Sequence, residues 1–450
     1  MKQAVVNNAS ICAQNRLDAK FHLSDGLLVR HLINRCPYRV TTIKDVTEDI
    51  YCPGIFKRTY LKNGFMFLGG GDIQKAELDS GKYLNKKRTP NWEILAVKKG
   101  WSLVTCGGTI GDVAFTNNLL SQCWISQHVM RVIPNTSRIT EGMLYAYLAT
   151  KYGKLLLTTG TYGSVIPTIS SENIAVLPIP QFKQEFQAHI DELMQHSASL
   201  RELSADQFHK AIALFEKYIG TSSYDGSFKA KAISSKSISK GFKRFDSQYQ
   251  IGEHKLSSEI SGLKTTKISN IASSIFVGTR GKRHYVRQGI PFLSSSDMML
   301  FNPVKYSTPI SVNTPNLEGL LVHTDDILIS RSGTIGNTVI VSKTLNGKAV
   351  SEHALRLVID KSKIDPKYVF CYLNTKHGKR LLESLAYGSV IITLGEDLVG
   401  NVDLPLLPGA TYAEIVNLIS NYSTNLDEAT RLENEAVSLV EAEIEKWNKQ

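Results

Sequence analysis

No run of apolar residues in this chain approaches the roughly 20 needed to cross a bilayer, which excludes a helical membrane protein. None of its six cysteines (Cys12, Cys36, Cys52, Cys106, Cys123 and Cys371) forms a C-x-x-C pair or has a histidine at zinc-ligand spacing, so no metal framework is expected. The start, Met1 to Ala13, holds no apolar core long enough for a secretory signal, and the expected location is the cytoplasm. The phosphate-loop pattern G-x-x-x-x-G-K-[ST] and a strand followed by G-x-G-x-x-G are both missing. Acidic residues are the scarcer sign, 41 against 52 Lys and Arg, and the net charge of +11 favours an anionic partner, nucleic acid before acidic lipid. With 42% hydrophobic residues over 450 positions, the chain can fill two or three ordinary domains.

What is present is a repeat. At an offset of 225 residues, Lys57, Arg58 and Tyr60 meet Lys282, Arg283 and Tyr285, and Phe67-Leu68-Gly-Gly-Gly-Asp72 meets Phe292-Leu293-Ser-Ser-Ser-Asp297. Gly108-Thr-Ile-Gly111 meets Gly333-Thr-Ile-Gly336, His128 meets His353, and Gly153-Lys154 meets Gly378-Lys379. Tyr162-Gly-Ser-Val-Ile166 meets Tyr387-Gly-Ser-Val-Ile391, and the copies open on Arg16-Leu-Asp18 and Arg244-Phe-Asp246. Solenoid units are far shorter, so the period marks two whole domains in tandem. Five cysteines lie in the first copy and one in the second, which no shared disulfide or metal framework would allow.

Each copy closes on prolines, Leu177-Pro-Ile-Pro180 and Leu404-Pro-Leu-Leu-Pro408, before a long amphipathic stretch. Apolar residues near a seven-residue period run from Phe182 to Ile219 and again from Ile415 to Ile444. Stretches of nearly forty residues would make helices about 60 Å long, better suited to pairing with each other than to lying on one domain. The expected fold is therefore α+β: two repeated domains of mixed β-sheet with short helices, separated by two long helices that pair with each other as a coiled coil. Its divisions are 1–180 for the first domain, 181–220 for a central helix, 221–410 for a Ser- and Lys-rich linker with the second domain, and 411–450 for a terminal helix. Short β-rich runs such as His128–Ile133 and Asp326–Ser330 precede helical patches at Met143–Leu157 and Pro366–Leu385.

Charge is unevenly placed. The terminal helix carries eight acidic and three basic residues and the central helix six and four; taking their −5 and −2 from +11 leaves +18 for the domains and linkers. The densest basic segments are Lys82 to Arg88 (Lys82, Lys86, Lys87, Arg88), followed by Lys98 and Lys99, and Arg280 to Arg287 (Arg280, Lys282, Arg283, His284, Arg287). With Lys57, Arg58 and Arg331 these are the candidate DNA-binding residues, suited to phosphate contacts and to base edges. No catalytic residue is assigned. The paired Gly-Thr-Ile-Gly segments are read as tight turns, Asp72 and Asp297 as turn caps, and His128 and His353 as buried, hydrogen-bonded structural histidines.

These features, in this order, resemble the DNA-sequence specificity subunits of type I restriction-modification systems. The resemblance rests on Arg16-Leu-Asp-Ala, Arg244-Phe-Asp-Ser, Asp325-Asp-Ile-Leu-Ile-Ser-Arg-Ser-Gly-Thr-Ile-Gly336, the two Tyr-Gly-Ser-Val-Ile segments and the proline stops before long helices, and spans Arg16 to Trp447. It implies two target recognition domains that each read half of a bipartite site in double-stranded DNA, held apart by the long helices as an antiparallel coiled coil, and a protein that is not itself an enzyme. It also implies partners: two methyltransferase subunits, which bring S-adenosylmethionine and methylate adenine, and motor-nuclease subunits for restriction. The chain itself would hold no cofactor. Open beside it stand a specificity subunit of a related defence or single-chain modification system, a two-lobed enzyme with a site between the copies, and a scaffold that binds only protein.

Overall fold

In the computed structural model, the described residues are 22–159, 168–220, 235, 244–388 and 392–447. The opening Arg16-Leu-Asp18, Cys12, Tyr162 to Ile166, most of the linker and residues 389–391 lie outside them. The chain forms two compact units, one of residues 1–202 with 428–450, the other of residues 203–427.

In the first unit, strands β1 (Val40–Thr42), β2 (Thr47–Tyr51), β3 (Phe65–Leu68), β4 (Tyr83–Leu84), β5 (Ser102–Thr105), β6 (Val113–Phe115), β7 (Trp124–Ile125), β8 (Val129–Pro134) and β9 (Pro178–Pro180) form three small sheets. Their orders are β2-β8-β5-β6, β4-β3-β7 and β1-β9. The first and third are antiparallel, whereas β3 pairs with β7 in parallel. The core joins Val104, Val113, Met130 and Val132 of the larger sheet to Met143, Leu144 and Tyr147 of the following helix. Alternation of inward residues along β5 and β8 puts Leu103 and Val129 on the opposite face, in a second cluster with Leu68 and Ile125.

The second unit repeats this plan. It has β10 (Thr265–Lys267), β11 (Ala272–Val277), β12 (Tyr285–Leu293), β13 (Thr308–Ile310), β14 (Ile327–Ser330), β15 (Thr338–Ile340), β16 (Ala349–Val350), β17 (Ala354–Ile359) and β18 (Asp403–Pro405). The sheet orders are β11-β17-β14-β15, β13-β12-β16 and β10-β18, with β12 and β16 parallel. Asp246 caps the helix Ser247–Glu259, and the Arg244 guanidinium ties that cap to the carbonyls of Leu385 and Ala386, which explains the Arg-Phe-Asp opening.

Two expected helices are broken. Met143–Leu157 divides into Glu141–Ala149 and Lys151–Thr159, and Pro366–Leu385 into Pro366–Asn374 and Lys376–Leu385. At each break a buried threonine, Thr150 or Thr375, leaves the helical region and its hydroxyl accepts from the N–H of Gly153 or Gly378 at 2.9 and 3.0 Å. A Cβ on those glycines would stand 2.4 Å from the Tyr147 carbonyl oxygen and 2.2 Å from that of Tyr372, so the repeated Gly-Lys marks a close approach.

The long helices span Gln184–Glu216 and Gly409–Trp447. The Ser197 hydroxyl donates to the Ala429 carbonyl at 2.7 Å and the Ser204 hydroxyl to that of Tyr422 at 2.9 Å. Seven residues forward on one helix match seven back on the other, an antiparallel pairing with coiled-coil spacing. The seam is built partly from small residues, Ala198, Ala205, Ala211, Ala429 and Ala436, while Leu203 on the periodic stripe is exposed. Among the described residues, no helix is long and apolar enough to cross a membrane.

Candidate nucleic-acid interface

The tight turns fall where expected. Gly108, Gly111, Gly333 and Gly336 all have φ between 77° and 84°, and reverse the chain between β5 and β6 and between β14 and β15. Asp72 accepts from the Gly69 N–H at 3.0 Å and Asp297 from the Ser294 N–H at 2.8 Å, the turn-capping role. The histidines do not fit their expectation: His128 and His353 are exposed. Each stands in the turn before a strand, where Ser126 and Ser351 take the buried position and the imidazole is left outside.

Beside those turns lie Arg58 and Arg283. The Arg58 guanidinium rests 5.3 Å from the centre of the Phe67 ring and donates from Nη2 to Gln127 Oε1 at 2.5 Å. The Arg283 guanidinium lies 4.6 Å from the Phe292 ring and forms an ion pair with Glu352. All three positions match at the 225-residue offset, so an arginine clamped between an aromatic face and a turn side chain occurs twice. Burial raises the Glu352 carboxyl, but the N–H of its own backbone and the charge of Arg283 outweigh it and leave it below its ordinary value.

Around Arg58 the small sheet gathers the other candidates of the first unit. The Leu61 N–H donates to the Tyr83 carbonyl at 2.9 Å and the Phe67 N–H to that of Lys82 at 2.8 Å, which brings the Lys57 loop beside Lys82. Lys86, Lys87 and Arg88 form an exposed short turn, and Lys86 Nζ sits 3.9 Å from the centre of the Trp92 ring. Beneath it Phe65, Trp92 and Trp124 stack with interplanar angles of 3° to 15°. In the second unit Arg280, Lys282, His284 and Arg287 are exposed, Arg280 Nε lying 3.9 Å from Glu352. Arg331 is half-buried and joins the same end, its backbone N–H donating to the His353 carbonyl at 3.0 Å. The candidates thus gather into one group in each unit.

Sequence reading missed the two arginines beneath these groups. Arg131 and Arg356, again 225 apart, are buried in β8 and β17. Arg131 donates to the carbonyls of Ser126, Val129, Leu95 and Ile125 at 2.9, 2.6, 3.1 and 2.5 Å. Arg356 does the same for Leu321, Leu320 and Val350 at 2.8, 2.5 and 3.3 Å. Burial lowers both guanidinium groups to about 10, still far above neutrality. Each holds the turn that carries Gln127 or Glu352. Their signal was available: Val-Met-Arg-Val-Ile and Ala-Leu-Arg-Leu-Val place a charge at the same apolar position of both copies.

The first unit alone has a thiol pair here, Cys52 Sγ and Cys106 Sγ 3.4 Å apart, with Cys52 also donating to the Gln127 carbonyl at 2.6 Å. The hydrogen bond from Cys106 lowers the Cys52 thiol, and the same interaction together with burial raises that of Cys106. Val277 and Arg331 stand at these positions in the second unit. Among the described residues, no group of His, Cys, Asp and Glu is arranged to hold a metal ion.

Residues 37–203 match the family model of the type I restriction modification DNA specificity domain, and that segment belongs to this class of DNA-recognition domain. The 225-residue repeat carries the same plan into the second half of the chain. Among solved structures it is similar to a type I restriction-modification S subunit from M. genitalium, with 14% identity, TM-score 0.36, and coverage of 92% of this chain and 96% of that one. It is also similar to an HsdS subunit from Thermoanaerobacter tengcongensis, with 14% identity, TM-score 0.29, and coverage of 91% and 96%. At these scores the two likenesses add nothing to the functional reading. No curated relative matches the chain.

Proposed function

We propose that this chain selects DNA and performs no chemistry of its own, each unit reading one half of a bipartite sequence. The carrying observation is the clamped arginine with its exposed basic neighbours, built twice at one offset with different side chains in the turn. Lys57, Lys82, Lys86, Lys87 and Arg88 serve the first half-site, and Arg280, Lys282, His284, Arg287 and Arg331 the second. Exposed lysines supply phosphate contacts that hold register, and the turn residues supply discrimination. Because the copies differ in those residues, the half-sites differ.

In this reading the chain works in the cytoplasm and delivers two methyltransferase subunits, with their S-adenosylmethionine, to adenines in the site; restriction subunits join the same assembly. The length of the two long helices sets the length of the unread gap, so removing seven residues from each shortens the gap that is tolerated. Methylome sequencing of the host with and without this chain tests the function. A bipartite methylated motif that disappears with the chain supports it, and an identical methylome in both hosts overturns it.

A further inference from the structure

The two clamps differ in one respect that changes their chemistry. Gln127 in the first unit is an amide, which both donates and accepts; Glu352, its counterpart, is a carboxylate, which only accepts. The loop tip facing the turn differs as well. Ile55 is 93% exposed in the first unit, whereas its counterpart Arg280 is 79% exposed and approaches Glu352. The added carboxylate is thus matched by an added guanidinium. Lys57 and Arg58 with Gln127 carry +2, and Arg280, Lys282 and Arg283 with Glu352 also carry +2. The net charge at each clamp is preserved while the donor and acceptor pattern is changed, which is the division of labour expected of a base-reading position.

We infer that Gln127 and Glu352 each select the base at one position of their half-sites: Gln127 takes adenine, whose N6 and N7 fit an amide, and Glu352 takes cytosine, whose N4 amino group fits an acceptor. Arg58 and Arg283 are positioning residues that fix the reading oxygen, and the backbone behind each turn is fixed by Arg131 or Arg356. This inference rests on the DNA-selecting function proposed above and adds the residue and the base class to it.

The test is the host methylome with the intact chain, with E352Q and with Q127E, each variant checked for folding by thermal melting. E352Q is expected to exchange cytosine for adenine at one position of the second half-site, methylation of the original sequence falling at least about tenfold while the first half-site is unchanged. Q127E is expected to make the reciprocal change in the first half-site. If the intact chain gives a bipartite motif and both folded variants retain it, the inference is wrong and the DNA-selecting function stands. Uniform loss of methylation with no new preference in both folded variants also overturns it, since that marks a structural role. If E352Q fails to fold, Q127E decides alone by the same criteria. An intact chain that directs no motif defeats the underlying function itself.

Discussion

Replacing Arg131 with methionine removes four hydrogen bonds without leaving a large cavity, because the methionine stem follows much of the same path. The guanidinium donates to four carbonyls within the wall of the first unit. The Ser126 carbonyl keeps a partner in the Val129 N–H at 3.3 Å, so two or three carbonyls lose most of what holds them. At about 1–3 kcal/mol for each buried group left unpaired, the gross loss is about 2–9 kcal/mol, about 5 at the middle of that range. Relief from burying a cation returns several kcal/mol of that, leaving a net destabilisation of about 3 kcal/mol. Urea unfolding measures the total. Hydrogen exchange gives the local reading: the Val129 and Cys106 amides, bonded to the Ser126 and His128 carbonyls, should exchange faster, and the matching amides of the second unit should not change. R356M should show the reverse. A loss below about 1 kcal/mol, or acceleration spread over both units, would refute the assignment of Arg131 as the tie behind the Gln127 turn.

Three further outcomes follow from the same geometry. Replacing Lys86, Lys87 and Arg88 together with alanine should reduce the salt dependence of DNA binding, the log–log slope falling by up to about 0.9 for each phosphate no longer neutralised; an unchanged slope would remove these residues from the interface. His377 is buried 2.8 Å from Glu259, and burial lowers its pKa below the ordinary 6.5 despite that carboxylate, so the unfolded chain takes up the proton first. Stability of the second unit should be full above pH 6.5 and fall as the pH drops toward the folded value, a loss that H377Q should lessen in unfolding measured against pH. Cys52, half-buried with a lowered thiol, should be alkylated before Cys106 and Cys371, whose thiols are raised; mass spectrometry showing Cys106 modified first would contradict this order.

The tandem arrangement was legible because duplication leaves identical residues at a constant offset, and those residues turned out to be positions where geometry permits little choice. Gly153 and Gly378 allow a backbone approach, Gly108 and Gly333 adopt positive φ, and Asp72 and Asp297 close the same turn. The breaks at Thr150 and Thr375 were hidden because both flanking segments are strongly helical, and a threonine cap inside an apolar stretch does not disturb the period. Of the alanine seam, Ala429 and Ala436 stand in step with the apolar period of the terminal helix and were legible, whereas Ala198, Ala205 and Ala211 of the central helix were not, since a periodicity built on large side chains overlooks the small ones that let helices approach. The clamps could not be read locally at all: Arg58 and Gln127 are 69 residues apart in sequence and meet only through the folding of β3 beside β7.

The central claim is that two related units read two different short sequences. Selecting DNA from a random-sequence pool with the chain assembled on its host methyltransferase tests this most directly. The expected result is two dissimilar blocks of fixed sequence flanking a gap of constant length with no base preference, the first block alone changing in Q127E and the second alone in E352Q. A single block, two identical blocks, or enrichment that follows charge density without sequence would contradict it.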